Sequence, residues 1–158
     1  MSTMPRSQLR SQVTVLPPIP IVVPGTIEQN LMPWRLLEEQ VDDISSQTVE
    51  QVLEDVQLLG YIRQAGGLQM LRKSLKLSDG QQTQFSVARL ILHHLRHKNN
   101  IVVMDEPTSR LDVEMRQKLH EALRKYLARS TVLVAGHNPW LQNPESSGSQ
   151  PKHGCIAH

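Results

Sequence analysis

Three short segments carry the residues whose types suit phosphoryl chemistry: Leu77-Ser78-Asp79-Gly80-Gln81, Ile101-Val102-Val103-Met104-Asp105-Glu106, and Gly136-His137 after the apolar run Thr131 to Ala135. Asp105 and Glu106 close an apolar strand, at the end where open α/β sheets place their ligands. Asp105 suits Mg²⁺, directly or through water, because that ion takes oxygen ligands and keeps much of its hydration. Glu106 suits polarising an attacking water as a general base. Ser78, Gly80 and Gln81 bring a hydroxyl and open amides to a helix amino terminus, which attracts phosphate. The same Ser-x-x-Gln is also an ordinary helix cap. Asp79 beside it would repel a γ-phosphate unless its side chain turns away. His137 could donate to that phosphate or orient the water, although a histidine at a strand end is often structural.

One part of such chemistry is missing from these 158 residues. No Gly-x-x-x-x-Gly-Lys-Ser/Thr loop is present, and none of the eight glycines precedes a lysine. That loop supplies the amides and lysine that cradle the phosphates. His93 and His97 have the spacing of a metal pair on a helix, with His94 adjoining, but no third ligand accompanies them. They read as a solvated, cationic helix end. Cys155-Ile156-Ala157-His158 has the spacing of a prenylation box with an unsuitable last residue, and reads as tail.

The elements that must position these residues follow from pattern and composition. Residues 1–12 read as a disordered polar arm. A short or edge strand near Val13 to Leu16 is cut off by Pro17, Pro18, Pro20 and Pro24, which cannot donate to a ladder. Residues 28–75 read as a helical subdomain. Within it Thr48-Val49-Glu50-Gln51 fits a capping box, and Gly60 and Gly66-Gly67 read as stop and turn signals. Residues 77–138 read as α/β. A helix from about Asp79 to His97 buries Phe85, Ala88, Ile91, Leu92 and Leu95. The strand Ile101 to Met104 follows. Asp112 caps a second helix that buries Met115, Leu119, Ala122, Leu123 and Tyr126. Thr131 to Ala135 reads as a buried strand. Residues 139–158, rich in proline, serine and glycine, read as a disordered tail. The sheet expected from this is parallel and incomplete.

Bulk properties remove several alternatives. A net charge of +2 gives no electrostatic case for nucleic acid. No apolar run approaches the ~20 residues of a bilayer span, and Met1 to Gln12 lacks a signal-peptide core. One cysteine excludes an internal disulfide and fits a reducing, cytoplasmic setting.

With these motifs in this order, the chain resembles the nucleotide-binding domain of an ATP-binding-cassette transporter of the multidrug-resistance-associated exporter type, over roughly residues 13–138. Leu77 to Gln81 matches the signature motif, Ile101 to Glu106 the Walker B strand with its catalytic glutamate, and Ser109-Arg110-Leu111-Asp112 the D-loop. His137 matches the switch histidine. Gly25 to Leu31 resembles the segment after the Q-loop, and Gly66-Gly67-Leu68 the turn before the signature. The resemblance implies a partial P-loop NTPase fold that uses ATP and Mg²⁺. It implies catalytic roles for Glu106 and His137, and a metal role for Asp105. Ser78, Gly80, Gln81 and Asp112 would contact nucleotide. The implied partners are a second cassette domain or the transmembrane domains of a transporter, at the cytosolic face of a membrane. Departures are equally specific. Walker A is absent, Pro18 stands where the Q-loop glutamine belongs, Leu71-Arg72-Lys73-Ser74 lacks the usual acidic and glycine residues, and Asp79 replaces a frequent glycine. The chain is therefore expected to be inactive alone. The other expectations are a non-catalytic module that lends its signature in trans or a gene fragment; the Gly25 to Leu31 segment and the absence of long heptads argue against a soluble chromosome-maintenance ATPase.

Overall fold

A computed structural model describes residues 13–16, 21–36, 44–98, 101–105 and 111–135. Its sheet has three parallel strands in the order β1-β2-β3: β1 (Val13–Leu16), β2 (Ile101–Asp105) and β3 (Thr131–Ala135). The apolar run Ile101 to Met104 takes the central position. Five α-helices accompany it among the described residues: α1 (Ile27–Leu31), α2 (Ser46–Asp55), α3 (Leu59–Gln64), α4 (Asp79–His97), which packs on β1, and α5 (Val113–Leu127). The architecture is mixed α/β, with a helical half ahead of a small parallel sheet.

The two sheet faces differ. Thr14, Leu16, Val102 and Met104 are buried beneath the helices. In the register Val15, Val103 and Leu133 form one row on the opposite face, where Val15 is 59% and Leu133 38% exposed. The reading of Thr131 to Ala135 as a buried strand is corrected here. It is an edge strand whose residues alternate between exposed and half-buried, because the described helices cover a single face.

α4 is the spine of the fold. It packs on α5, β1, α2 and α1. Phe85, Ala88, Ile91 and Leu92 are buried as the helical spacing predicts, and Leu95 is partly buried. Leu119, Ala122 and Leu123 face them from α5. Asp55 at the end of α2 accepts from Lys125 Nζ and from the Tyr126 hydroxyl, each at 2.6 Å, which ties α2 to α5.

The region read as helical, 28–75, is shorter helices joined by turns. The cap assigned to Thr48 falls one turn earlier and is a single side-chain cap, without the reciprocal bond of a capping box. Ser45 is the N-cap of α2, and its hydroxyl accepts from the Thr48 amide at 3.2 Å. Thr48 already lies inside the first turn, which the apolar stripe of Val49, Val52 and Leu53 requires. Ser45→Ala is expected to cost about 1 kcal/mol in urea unfolding, and Thr48→Ala less. The stop assigned to Gly60 falls earlier as well. Gln57, at φ 60°, makes the left-handed turn, and Gly60 lies within α3. Gly66 and Gly67 do turn the chain, at φ 112° and 86°.

That turn returns the chain to α1. The amides of Ile27 and Glu28 donate to the carbonyls of Met70 and Leu68 at 2.8 and 3.0 Å, and the Arg72 amide donates to the Gly25 carbonyl at 2.9 Å. Thr26 caps α1 in a full capping box with Gln29. Gly25, at φ 138°, has no room for a Cβ because the Gln29 side chain fills that space.

Candidate functional site

The amino end of α4 is built from the cap outward. Ser78 has extended backbone, and its hydroxyl accepts from the Gln81 amide at 3.2 Å. The Gln81 side chain returns the bond, its Oε1 accepting from the Ser78 amide at 3.0 Å. This reciprocal cap leaves the amides of Asp79 and Gly80 with no acceptor inside the helix. Ser78 and Asp79 are exposed, and Gly80 and Gln81 half-buried. The result is a polar, positive helix end open to an anion.

Several side chains that the sequence reading passed over hold this end in place. The Tyr61 hydroxyl on α3 donates to the Lys76 carbonyl, and Arg72 Nη1 donates to the Leu75 carbonyl at 3.1 Å. Gln82 Nε2 reaches the Leu77 carbonyl at 3.3 Å. Gln84 is buried, and its Nε2 donates to the Val56 carbonyl at 2.9 Å, which fixes α4 on the end of α2. A glutamine inside an apolar stripe was the available signal, since a buried amide needs partners. Leu111, 7% exposed, completes the support. A Cβ on Gly80 would stand 3.3 Å from Leu111 Cδ2, so the glycine admits the leucine.

Asp105 is exposed at the carboxyl end of β2, paired in the ladder with Ala135. Asp112 is the N-cap of α5, and its Oδ1 accepts from the Met115 amide at 2.8 Å. Its visible work is therefore capping. Glu106 and His137 lie outside the described residues, as do Ser109, Arg110 and Pro18. The described residues contain no group of three or more His, Cys, Asp or Glu side chains able to hold a metal. A single exposed carboxylate does not make a protein cage. It fits Mg²⁺, which is held mainly by substrate phosphates and water with one or two carboxylates.

Ser78 and Asp105 stand on different elements, the first at the amino end of α4 and the second at the carboxyl end of β2. His93 on α4 touches Thr14 at 3.2 Å, and Thr14 pairs with Val102.

The histidine pair needs correction. His93 is not part of a solvated, cationic end. Its ring stands edge-on to Trp34 at 5.6 Å and tilted on His97 at 4.3 Å. Burial first, then the charges of His97, Arg96 and His94, pull its pKa down to about 4. Burial also lowers that of His94. His93 is neutral at pH 7.

No family model matches the chain. It is 36% identical over 139 residues to the ABC transporter ecdL of Aspergillus rugulosus, covering 86% of this chain and 8% of that protein. It is 37% identical over 145 residues to the ABC-type transporter phomO of Diaporthe leptostromiformis, covering 84% of this chain and 9% of the relative. The chain thus spans less than a tenth of these two relatives' lengths. Among solved structures it is similar to a bacterial Atm1-family ABC exporter with ATP bound, with a TM-score of 0.66 at 21% identity, over 85% of this chain and 22% of that one. That likeness establishes the fold.

Proposed function

The chain belongs to the ATP-binding-cassette family, and from that premise we propose that it forms part of an exporter's nucleotide-binding domain and presents its signature helix to ATP held by another cassette domain. The observation that carries the reading is the amino end of α4. Ser78 and Gln81 satisfy each other, the Asp79 and Gly80 amides stay open, and Leu111 and Tyr61 hold the end rigid. A phosphate arriving from outside meets preorganised donors, which is how phosphoryl transfer is assisted. The placement of Ser78 and Asp105 at the ends of different elements supports a division of labour. Ser78 and Gly80 face a nucleotide bound elsewhere, while Asp105 serves a site at the end of β2.

At that second site Glu106 would accept the proton of the attacking water, and His137 would hold the γ-phosphate by a hydrogen bond. Asp105 would hold Mg²⁺ there, directly or through water, and the ion would supply neutralisation of phosphate charge. These 158 residues contain no lysine-bearing phosphate loop, so the chain by itself lends a signature in trans and does not turn over ATP. No helix among the described residues is long and apolar enough to cross a membrane. The proposed place of work is the cytosolic face of one, against transmembrane domains of the same transporter.

Mixing the chain with an intact cassette domain tests this. ATP-dependent association is expected, reduced about tenfold by Ser78→Ala, which removes a cap and a phosphate donor. Asp79→Gly strengthens the association or leaves it level, by taking a negative charge from the phosphate. The chain alone shows background ATP turnover that Glu106→Gln does not change. Absence of ATP-dependent association, or indifference to Ser78→Ala, overturns the reading. It would leave a non-docking remnant, which the exposed row of Val15 and Leu133 favours.

A further inference from the structure

His93 and His97 lie one turn apart on α4, a spacing that puts both side chains on one face of the helix. Their rings meet, with centroids 4.3 Å apart and planes 39° apart. Trp34, in the 3-10 turn Pro33–Leu36, stands edge-on to both, at 5.6 Å from His93 and 6.1 Å from His97. The indole is 6% exposed, and its Nε1 is buried with no hydrogen-bond partner. His93 Nδ1 is bonded to the Thr14 hydroxyl of β1 at 3.2 Å. That bond orients the ring and leaves Nε2 for another partner. His97 likewise has two ring nitrogens, so one can serve a neighbour while the other binds.

Two imidazoles at i and i+4 on one helix are a chelate for a borderline divalent ion. Rings that share a tetrahedral ion have centroids about 5 Å apart, given metal–nitrogen distances of about 2.0–2.1 Å. The observed 4.3 Å needs only a small rotation of the rings to reach that arrangement. Among the described residues no third His, Cys, Asp or Glu joins the pair, so water completes the coordination. Such water also brings an acceptor beside the indole, whose buried donor lacks one. Arg96 lies over the Trp34 ring, its guanidinium carbon 5.9 Å from the centroid. With that positive charge nearby and two protein ligands, the site is weak and exchangeable, unlike a closed structural zinc cage.

We propose that His93 and His97 form a binding site for a divalent transition-metal ion of the Zn²⁺ type, held by one nitrogen of each ring, with Thr14 orienting His93 and Trp34 walling the site. The ligands choose the ion. Imidazole suits Zn²⁺, Cu²⁺ and Ni²⁺, whereas Mg²⁺ and Ca²⁺ take oxygen. The site occupies the carboxyl end of α4 and Ser78 caps the amino end, so it is separate from any nucleotide-borne Mg²⁺. Occupancy joins β1, the turn at Trp34 and α4, three segments distant in the chain, and so stabilises the fold.

The test uses the untagged 158-residue chain at about pH 7.5, stripped of metal by a chelator. ZnCl₂ at about 0.5 mM should raise the melting midpoint by at least about 4 °C, and MgCl₂ at the same concentration should leave it unchanged. His97→Phe keeps a ring against Trp34 but removes the nitrogens, and should abolish the zinc shift. His93→Gln should do the same, and each variant is compared with its own metal-free melt. His153, Cys155 and His158 offer zinc competing ligands, so a Cys155→Ser, His158→Gln variant serves as control and should keep the shift. A second measurement needs no histidine variant. With Trp140→Phe, Trp34 is the sole tryptophan, and Ni²⁺ should quench its emission by at least about half in a saturable titration. Absence of a zinc shift, an equal shift with Mg²⁺, a shift that survives His97→Phe or vanishes in the tail variant, or unquenched Trp34 emission overturns the proposal. The assay contains no nucleotide, so its failure leaves the signature-helix reading standing, and the reverse holds too.

Discussion

Phe85→Ala should lower the stability of the chain by about 3–5 kcal/mol. Phe85 is the only phenylalanine and is 1% exposed, at the centre of the helical layer. Truncation opens a cavity between α4 and its neighbours that helices anchored by Gln84 and Asp55 cannot collapse to fill. It also removes the ring face from the guanidiniums of Arg72 and Arg89 and leaves them without it. Domains of this size are typically stable by about 5–15 kcal/mol, so the loss takes a large share. Urea unfolding followed by circular dichroism measures it. Phe85→Leu keeps most of the volume and should cost less than half as much. Near-equal costs would show that side-chain volume contributes little and that the lost ring face, and with it the arginine stack, dominates.

Acid should unfold the chain early. His93 and His120 have pKa values lowered to about 4, in each case by burial first. Charges of His97, Arg96 and His94 add to the effect at His93, and Arg124 and Arg116 add to it at His120. In the unfolded chain both titrate near 6.5. The sign follows from proton counting. Below about 6.5 the unfolded state binds protons that the folded state refuses, so stability is full above that pH and falls as pH drops toward 4. Both histidines are only half-buried, so solvent screening discounts the full linkage energy to roughly 1–2 kcal/mol for each. The urea midpoint should fall steadily from pH 7 to pH 4.5. His93→Gln should flatten the part of that slope due to His93. A midpoint independent of pH across this window would rule out neutral burial of the two rings.

Much of the fold was legible because period and cap chemistry agreed locally. Ser78-x-x-Gln81 fixed the start of α4, Asp112 that of α5, and both apolar stripes face inward as spaced. The prolines after Leu16 marked β1 as a short edge strand. What failed was decided elsewhere in the structure. Thr48 fitted a cap as well as Ser45, and the position of the apolar stripe decided between them. Thr131 to Ala135 is as apolar as a buried strand, and its exposure depends on which layers cover the sheet. His93 looks ionised by sequence, but Trp34 and Thr14, distant in the chain, surround it. Of the candidate site, the α4 cap, Asp105 and Asp112 stand where the pattern put them. Tyr61, Gln84 and Leu111 could not be named in advance, because each supports the signature helix from another element.

Pairing Val13 with Ile101 also sets a timetable. At ribosomal speeds of roughly 5–20 residues per second, β1 emerges on the order of ten seconds before β2 has been made. For that interval Val13-Thr14-Val15-Leu16 is a bare β-forming segment. Pro17, Pro18 and Pro20 follow it directly and have no amide hydrogens, so a passing strand cannot extend a ladder beyond Leu16. The prolines thereby limit what the exposed segment can pair with during synthesis. Replacing them with threonine should show first as aggregation of newly made chains, with little change in the melting of those that fold.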